Sequence, residues 1–170
     1  TLSRLENAPS WYELGRMGFK MIDLFCDSFR SVPARIVLDI DDTPDTVHGG
    51  QQLAFFNAHY DEYVFQPIHI FEASTGKPVL SLLRPGKRPT GKEAARIIKH
   101  VIRRIRLNWP RVEIMVRGDG HYGVPEVMKL LESKDCRYIF GLPGNARLKE
   151  IGQPWCEDVA VRRVQRGKDK

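Results

Sequence analysis

What most constrains this chain is a change, part way along it, in how its β-rich runs are joined. Residues 63–71 (YVFQPIHIF) and 78–83 (PVLSLL) are linked through Ala73-Ser74-Thr75-Gly76-Lys77, a turn-like segment for which an antiparallel hairpin is the simplest reading. Pro67 has no N–H to give to a ladder and suits an edge or a bulge. The later runs, 112–116 and 137–142, each follow a stretch of helical periodicity, which parallel crossovers require. A mixed sheet satisfies both halves: antiparallel pairing on one side, parallel on the other, with helices covering the faces.

The other elements follow from caps and spacing. Ser10 and Glu13 have capping-box spacing, and Leu14, Met17, Met21, Leu24 and Phe25 recur at helical period, which predicts a helix over about 11–29, closed by Pro33. Residues 35–41 (RIVLDID) read as a buried strand, and 42–61, with a turn signal at Gly49-Gly50, as irregular. Thr90 and Glu93 form a second capping-box pair ahead of the apolar stripe Ala94, Ile97, Ile98, Val101, Ile102 and Ile105. Pro110 ends that helix, Gly118-Asp119-Gly120 makes a tight turn after the strand at 112–116, and 124–131 gives a further helix. Pro143-Gly144-Asn145 breaks the pattern, and the rest is too polar to place. With 42% hydrophobic residues among 170, the chain can bury one ordinary core.

The formal charge of +6 favours an acidic polymer as partner. Cys26, Cys136 and Cys156 are odd in number and lack C-x-x-C spacing, so neither a disulfide framework nor a zinc site is indicated. No apolar run approaches the roughly 20 residues that span a bilayer, and no signal peptide opens the chain, so a cytoplasmic protein with no membrane partner is expected. The start at Thr1 and the polar ending at 166–170 lead us to expect that segments lie beyond both ends.

The chemistry concentrates in acids at strand positions. Asp39 and Asp41 are two apart on a strand and share a face, roughly 6.5–7 Å from each other. Their repulsion is about 2.5 kcal/mol at an effective dielectric near 20, which a divalent cation would reverse. The alternative is that one of them is bridged to a Lys or Arg while the other sits at the wet end of the strand. Asp119 directly follows a buried strand between Gly118 and Gly120, where ligands collect in such sheets, although an Asp there also serves simply to start a turn. If the two strands are neighbours, Asp41 and Asp119 share one edge, and hard oxygen ligands suit Mg²⁺ or Mn²⁺.

The string Leu38-Asp39-Ile40-Asp41-Asp42-Thr43, then Val47-His48-Gly49, Gln51, Asn57, Tyr60, Pro67, Thr75-Gly76, Leu83-Arg84-Pro85-Gly86 and Arg117-Gly118-Asp119 resembles the DDE transposases of bacterial insertion sequences, in the branch with an L-D-x-D-x-T first motif. Phe140-Gly141-Leu142, Asn145 and Leu148 extend the likeness, which runs from about residue 1 to 150. The resemblance implies an α/β ribonuclease-H-like core with an N-terminal helix and an incomplete C-terminal part. It divides the chain into a helical segment (1–33), a partial core (34–145) and a polar tail (146–170) that opens a missing insertion. It further implies DNA transposition, the metal-dependent cleavage and strand transfer of insertion-sequence ends into target DNA, by a protein that is a homodimer at full length.

In that family Asp41 matches the first aspartate, with Asp39 its nearby rival, and Asp119 the second; Gly120, His121 and Tyr122 stand where relatives often have Ser-Gly-Phe. Nothing in 143–170 matches the third acid, a glutamate, so this piece is expected to be inactive as it stands. Arg84, Lys87, Arg88 and Lys92 crowd one loop and are the expected DNA contacts, while the stripe Arg96, Lys99, Arg103 and Arg106 reads as a solvated helix face. His48, His59, His69 and His121 are read as structural or surface residues unless one faces the aspartates. Two other readings remain. Asp39-Ile40-Asp41-Asp42-Thr43 also fits the signature of haloacid-dehalogenase-type phosphohydrolases, with Asp39 as nucleophile and Asp41 as acid/base, and a catalytically inactive DNA-binding remnant would keep the fold without the chemistry.

Overall fold

The computed structural model describes residues 8–58, 60–142 and 146–168; the break expected at Pro143-Gly144-Asn145, and His59, lie outside them. In chain order the elements are α1 (Trp11–Asp27), β1 (Arg35–Asp42), β2 (Asp45–Thr46), β3 (Phe55–Asn57), β4 (Glu62–Phe65), β5 (Ile68–Glu72), β6 (Pro78–Leu82), α2 (Gly91–Asn108), β7 (Glu113–Gly118), α3 (Pro125–Ser133), β8 (Arg137–Phe140) and α4 (Ala146–Lys168). The main sheet has the order β6-β5-β1-β7-β8. β1 and β6 pair antiparallel with β5, whereas β7 runs parallel to both β1 and β8. This is the mixed sheet that the connection lengths predict.

The core lies against one face of that sheet. Ile36, Leu38 and Ile40 alternate inward from β1, Ile114 and Val116 from β7, and they meet Ile98, Val101, Ile102 and Ile105 of α2 and Val127 and Leu131 of α3. The opposite face is not covered among the described residues: Phe71 and Ile139 are 40% and 56% exposed, beside half-buried Val37 and Met115. Helices on both faces were expected; α1, α2 and α3 occupy one.

Three further differences concern single elements. The run at 63–71 is two strands, because Gln66 and Pro67 interrupt it: β5 stays in the main sheet, and β4 joins β2 and β3 in a small three-stranded sheet built from the segment read as irregular. In α1 the buried residues are Ile22, Phe25 and Cys26, while Leu14, Met17, Met21 and Leu24 are 36–58% exposed. Two apolar stripes compete on this helix, and the packed one joins Phe29 and Trp109 in an aromatic cluster. Last, the polar tail is the 23-residue helix α4, whose apolar residues Ile151, Trp155, Val159, Val161 and Val164 are spread around it and exposed, so no stripe announces it.

The caps are as spaced. Ser10 and Glu13 exchange both capping-box bonds. Thr90 accepts from Glu93 N–H, but the Glu93 carboxylate turns instead to Arg84 at 2.7 Å. No described helix is long and apolar enough to cross a membrane.

Candidate active site

β1 and β7 are in parallel register from Arg35↔Glu113 to Ile40↔Gly118. Asp41 and Asp119 each come one residue later, side by side at the carboxyl ends of neighbouring strands about 4.8 Å apart. Alternation puts Asp41 on the uncovered face with Asp39 and Arg117, and Asp119 lies just past the end of β7. Gly118 permits this approach: a Cβ there would lie 3.0 Å from Ile40 Cγ2 and 3.2 Å from both the Ile40 carbonyl oxygen and the Tyr122 ring.

The two acids of the D-x-D pair have different fates. Arg117 grips Asp39 at both oxygens, at 2.6 Å each, so Asp39 is already neutralised. Asp41 is exposed, accepts only the backbone N–H of Asp42 at 2.9 Å, and has no Lys or Arg partner among the described residues. The antiparallel β5 beside β1 is not the parallel neighbour that the phosphohydrolase reading needs.

Asp42 points to the opposite, buried face, and its side chain is 1% exposed. Gln66 Nε2 and the Tyr122 hydroxyl donate to it, and His121 Nε2 lies 2.5 Å from its Oδ1. The other ring nitrogen, His121 Nδ1, is 2.6 Å from Asp119 Oδ1. Both are close N···O approaches without the alignment of a hydrogen bond. Burial, followed by the charge of Asp42 and the hydrogen bond to it, and then by the charges of Asp41 and Asp119, pushes the Tyr122 phenol far up. His121 does face the aspartates. Asp42 was not singled out from the sequence; the signal available was alternation, which puts it on the Ile36-Leu38-Ile40 face, where a carboxylate needs partners.

No group of three or more His, Cys, Asp or Glu side chains able to hold a metal ion occurs among the described residues. What is present fits part of a divalent-cation site: two carboxylates together on one edge, hard oxygen donors suited to Mg²⁺ or Mn²⁺. His48 is exposed in the loop after β2, and His69, the register partner of Asp41, contacts Ser81 Oγ at 2.9 Å. Beside it opens a cleft of about 480 Å³ lined by Thr43, Pro67, His69, Ser81 and Leu82 among others.

The basic loop divides as well. Asp42, Ile68 and Leu82 lie in register across three strands, so the loop after β6 leaves from the same sheet edge as Asp41 and Asp119. Lys87 and Arg88 are exposed on it, and Lys92 is exposed in the first turn of α2 that follows. Arg84, expected among the DNA contacts, is 6% exposed, paired with Glu93 and donating to the Lys87 carbonyl. It braces the loop from inside and is out of reach of an external phosphate. In the helical stripe, Arg106 turns to the Asp135 carbonyl, whereas Arg96, Lys99 and Arg103 are exposed.

A five-stranded mixed sheet in this order, with acids at the ends of two neighbouring parallel strands, defines a ribonuclease-H-like fold. The profile described as "Transposase DDE domain group 1" matches residues 1–170, and the chain belongs to that family. Among solved structures it is similar to piggyBac transposase in a synaptic complex with hairpin DNA, with a TM-score of 0.50 and 12% identity over 72% of this chain. It spans 26% of that protein's length. A looser likeness, TM-score 0.42 and 13% identity, covers 82% of this chain and 43% of a chain from the simian T-cell lymphotropic virus intasome in complex with PP2A regulatory subunit B56 gamma. No curated protein sequence matches it closely.

Proposed function

We propose that this chain is part of a metal-dependent enzyme that cleaves insertion-sequence ends and joins them to target DNA, with Asp41 and Asp119 as its divalent-cation ligands. The observation that carries this reading is their placement side by side at the ends of β1 and β7, with Asp39 held apart by Arg117. Family membership supports DNA as the substrate. A bound Mg²⁺ or Mn²⁺ would supply the positive charge that phosphodiester displacement needs as charge builds on the phosphoryl oxygens.

The chain's own residues have separable tasks. Asp41 and Asp119 offer carboxylate oxygens at the sheet edge, and Arg117 keeps Asp39 from adding a further uncompensated charge. Lys87, Arg88 and Lys92 line the same edge and would hold the DNA backbone by charge. The third acid implied by the resemblance has no match in 143–170, so we place it elsewhere in a longer, homodimeric protein and expect no strand transfer from this chain alone.

The deciding measurement is a titration with Mn²⁺ alone, following paramagnetic broadening of the backbone amide signals of the whole chain. Broadening centred on Asp41 and Asp119, abolished by Asp41→Ala and by Asp119→Ala, is the expected result. Absence of local broadening in the parent chain would instead favour a folded DNA-binding remnant without a metal site.

A further inference from the structure

Asp119 leaves β7 into a turn with its side chain 57% exposed. Among the described residues only His121 approaches its carboxylate, through the backbone N–H at 3.2 Å and through Nδ1 at 2.6 Å, both to Oδ1. A carboxylate on a turn, free to rotate, must be ordered each time it binds an ion, and that ordering weakens binding. The imidazole that approaches it is largely buried: 11% exposed, 4.0 Å from the Tyr122 ring between centroids, with Nε2 against Asp42. Asp42 in turn is fixed by Gln66 and Tyr122 and belongs to β1, one residue after Asp41.

Resting on the reading of Asp119 as a metal ligand, we infer that Asp42 and His121 form a positioning pair: Asp42 anchors the imidazole to the end of β1, and the imidazole holds the Asp119 carboxylate in its ligating orientation. The pair ties the two strand ends that carry the acids, from beneath the sheet edge. Neither residue needs to touch the ion. His121 acts through Asp119, and Asp42 acts through His121. Residues that orient a metal's ligands commonly matter about 10–100-fold in metal affinity.

The test uses Mn²⁺ alone on the whole chain, with the midpoint of amide broadening at Asp41 and Asp119 as one readout and the melting temperature as the other. His121→Ala should raise the midpoint about 10–100-fold while the chain stays folded. His121→Asn, whose amide can take the place of Nδ1 beside Asp119, should recover much of that loss. His121→Gln, whose amide reaches the place of Nε2 beside Asp42, should keep the melting temperature without the affinity. A parent-like midpoint in His121→Ala, next to lost binding in Asp119→Ala, overturns the positioning role and leaves Asp119 a ligand. A parent chain in which Mn²⁺ broadens neither acid overturns the metal reading and this inference with it. Should the alanine variant unfold, Asn against Gln decides: tighter binding by Asn supports the pair, and equal or weaker binding by Asn overturns it.

Discussion

Arg117 on β7 holds Asp39 on β1 through two parallel contacts of 2.6 Å, Nε to Oδ1 and Nη2 to Oδ2, on the same sheet face as Asp41. A fork-to-fork pair of this kind fixes both side chains and cancels their charges. Asp39→Asn releases the Arg117 charge beside the site and should raise the Mn²⁺ midpoint only about twofold, because a unit charge acting across exposed, solvated groups is screened. Asp41→Asn should remove most of the binding. Equal losses from the two substitutions would return Asp39 to the ligand set.

Charge on the loop after β6 and the first turn of α2 can be read by salt dependence. Each of Lys87→Ala, Arg88→Ala and Lys92→Ala should weaken duplex DNA binding alike for unrelated sequences. If each residue neutralises one phosphate, the slope of log K against log salt should fall by about 0.9 per substitution. Arg84→Ala should leave that slope alone and lower the melting temperature, since its guanidinium is buried against Glu93. Fluorescence anisotropy from 50 to 200 mM salt, roughly the range over which phosphate contacts are resolved, makes the comparison.

Glu72, 2% exposed, anchors the β5–β6 turn by accepting from the N–H and hydroxyl groups of Ser74 and Thr75. Burial alone would raise its pKa, but these donors outweigh burial and hold it below the ordinary value of 4.5. With the folded pKa depressed, its contribution is complete above pH 4.5 and is lost as pH falls from there through the folded value. Glu72→Gln should cost on the order of 2–3 kcal/mol at neutral pH, and the gap to the parent should narrow in acid. Urea unfolding of both proteins at neutral and acidic pH gives the difference; a gap that widens in acid contradicts the assignment.

Two glycines should respond oppositely to alanine. A Cβ on Gly86 would fall 2.0 Å from the Val64 carbonyl oxygen and 2.9 Å from Phe55 N, backbone atoms that cannot yield without moving the small sheet. Gly86→Ala should destabilise by about 1–3 kcal/mol. Gly15, on the exposed side of α1, has nothing within 4 Å, and Gly15→Ala should stabilise by about 0.5–1 kcal/mol through helix propensity. Thermal melts of the two variants check both signs.

Much of this molecule is written in local pattern. The capped helix with the Ala94-to-Ile105 stripe, the turn at 73–77 and the apolar run of β1 each depend on neighbours within a few residues, and their order already implies antiparallel pairing on one side of the sheet and parallel on the other. The motif string likewise names Asp41 and Asp119 without any coordinates.

Long-range contacts decided the rest. Which stripe of α1 turns inward depends on Trp109 and Phe29 packing beside Phe25. Pro67 could mark a bulge or a border between two sheets, and only the pairing of β4 with β2 and β3 makes it the border. In the acid cluster, spacing puts Asp39 and Asp41 on one face and Asp42 on the other, but not which has a partner. Arg117 and His121 lie 78 and 79 positions along the chain from Asp39 and Asp42, and they arrive only because β7 pairs with β1. Periodicity registers which face a side chain takes; the charge it meets there is set by a strand folded in from far along the sequence.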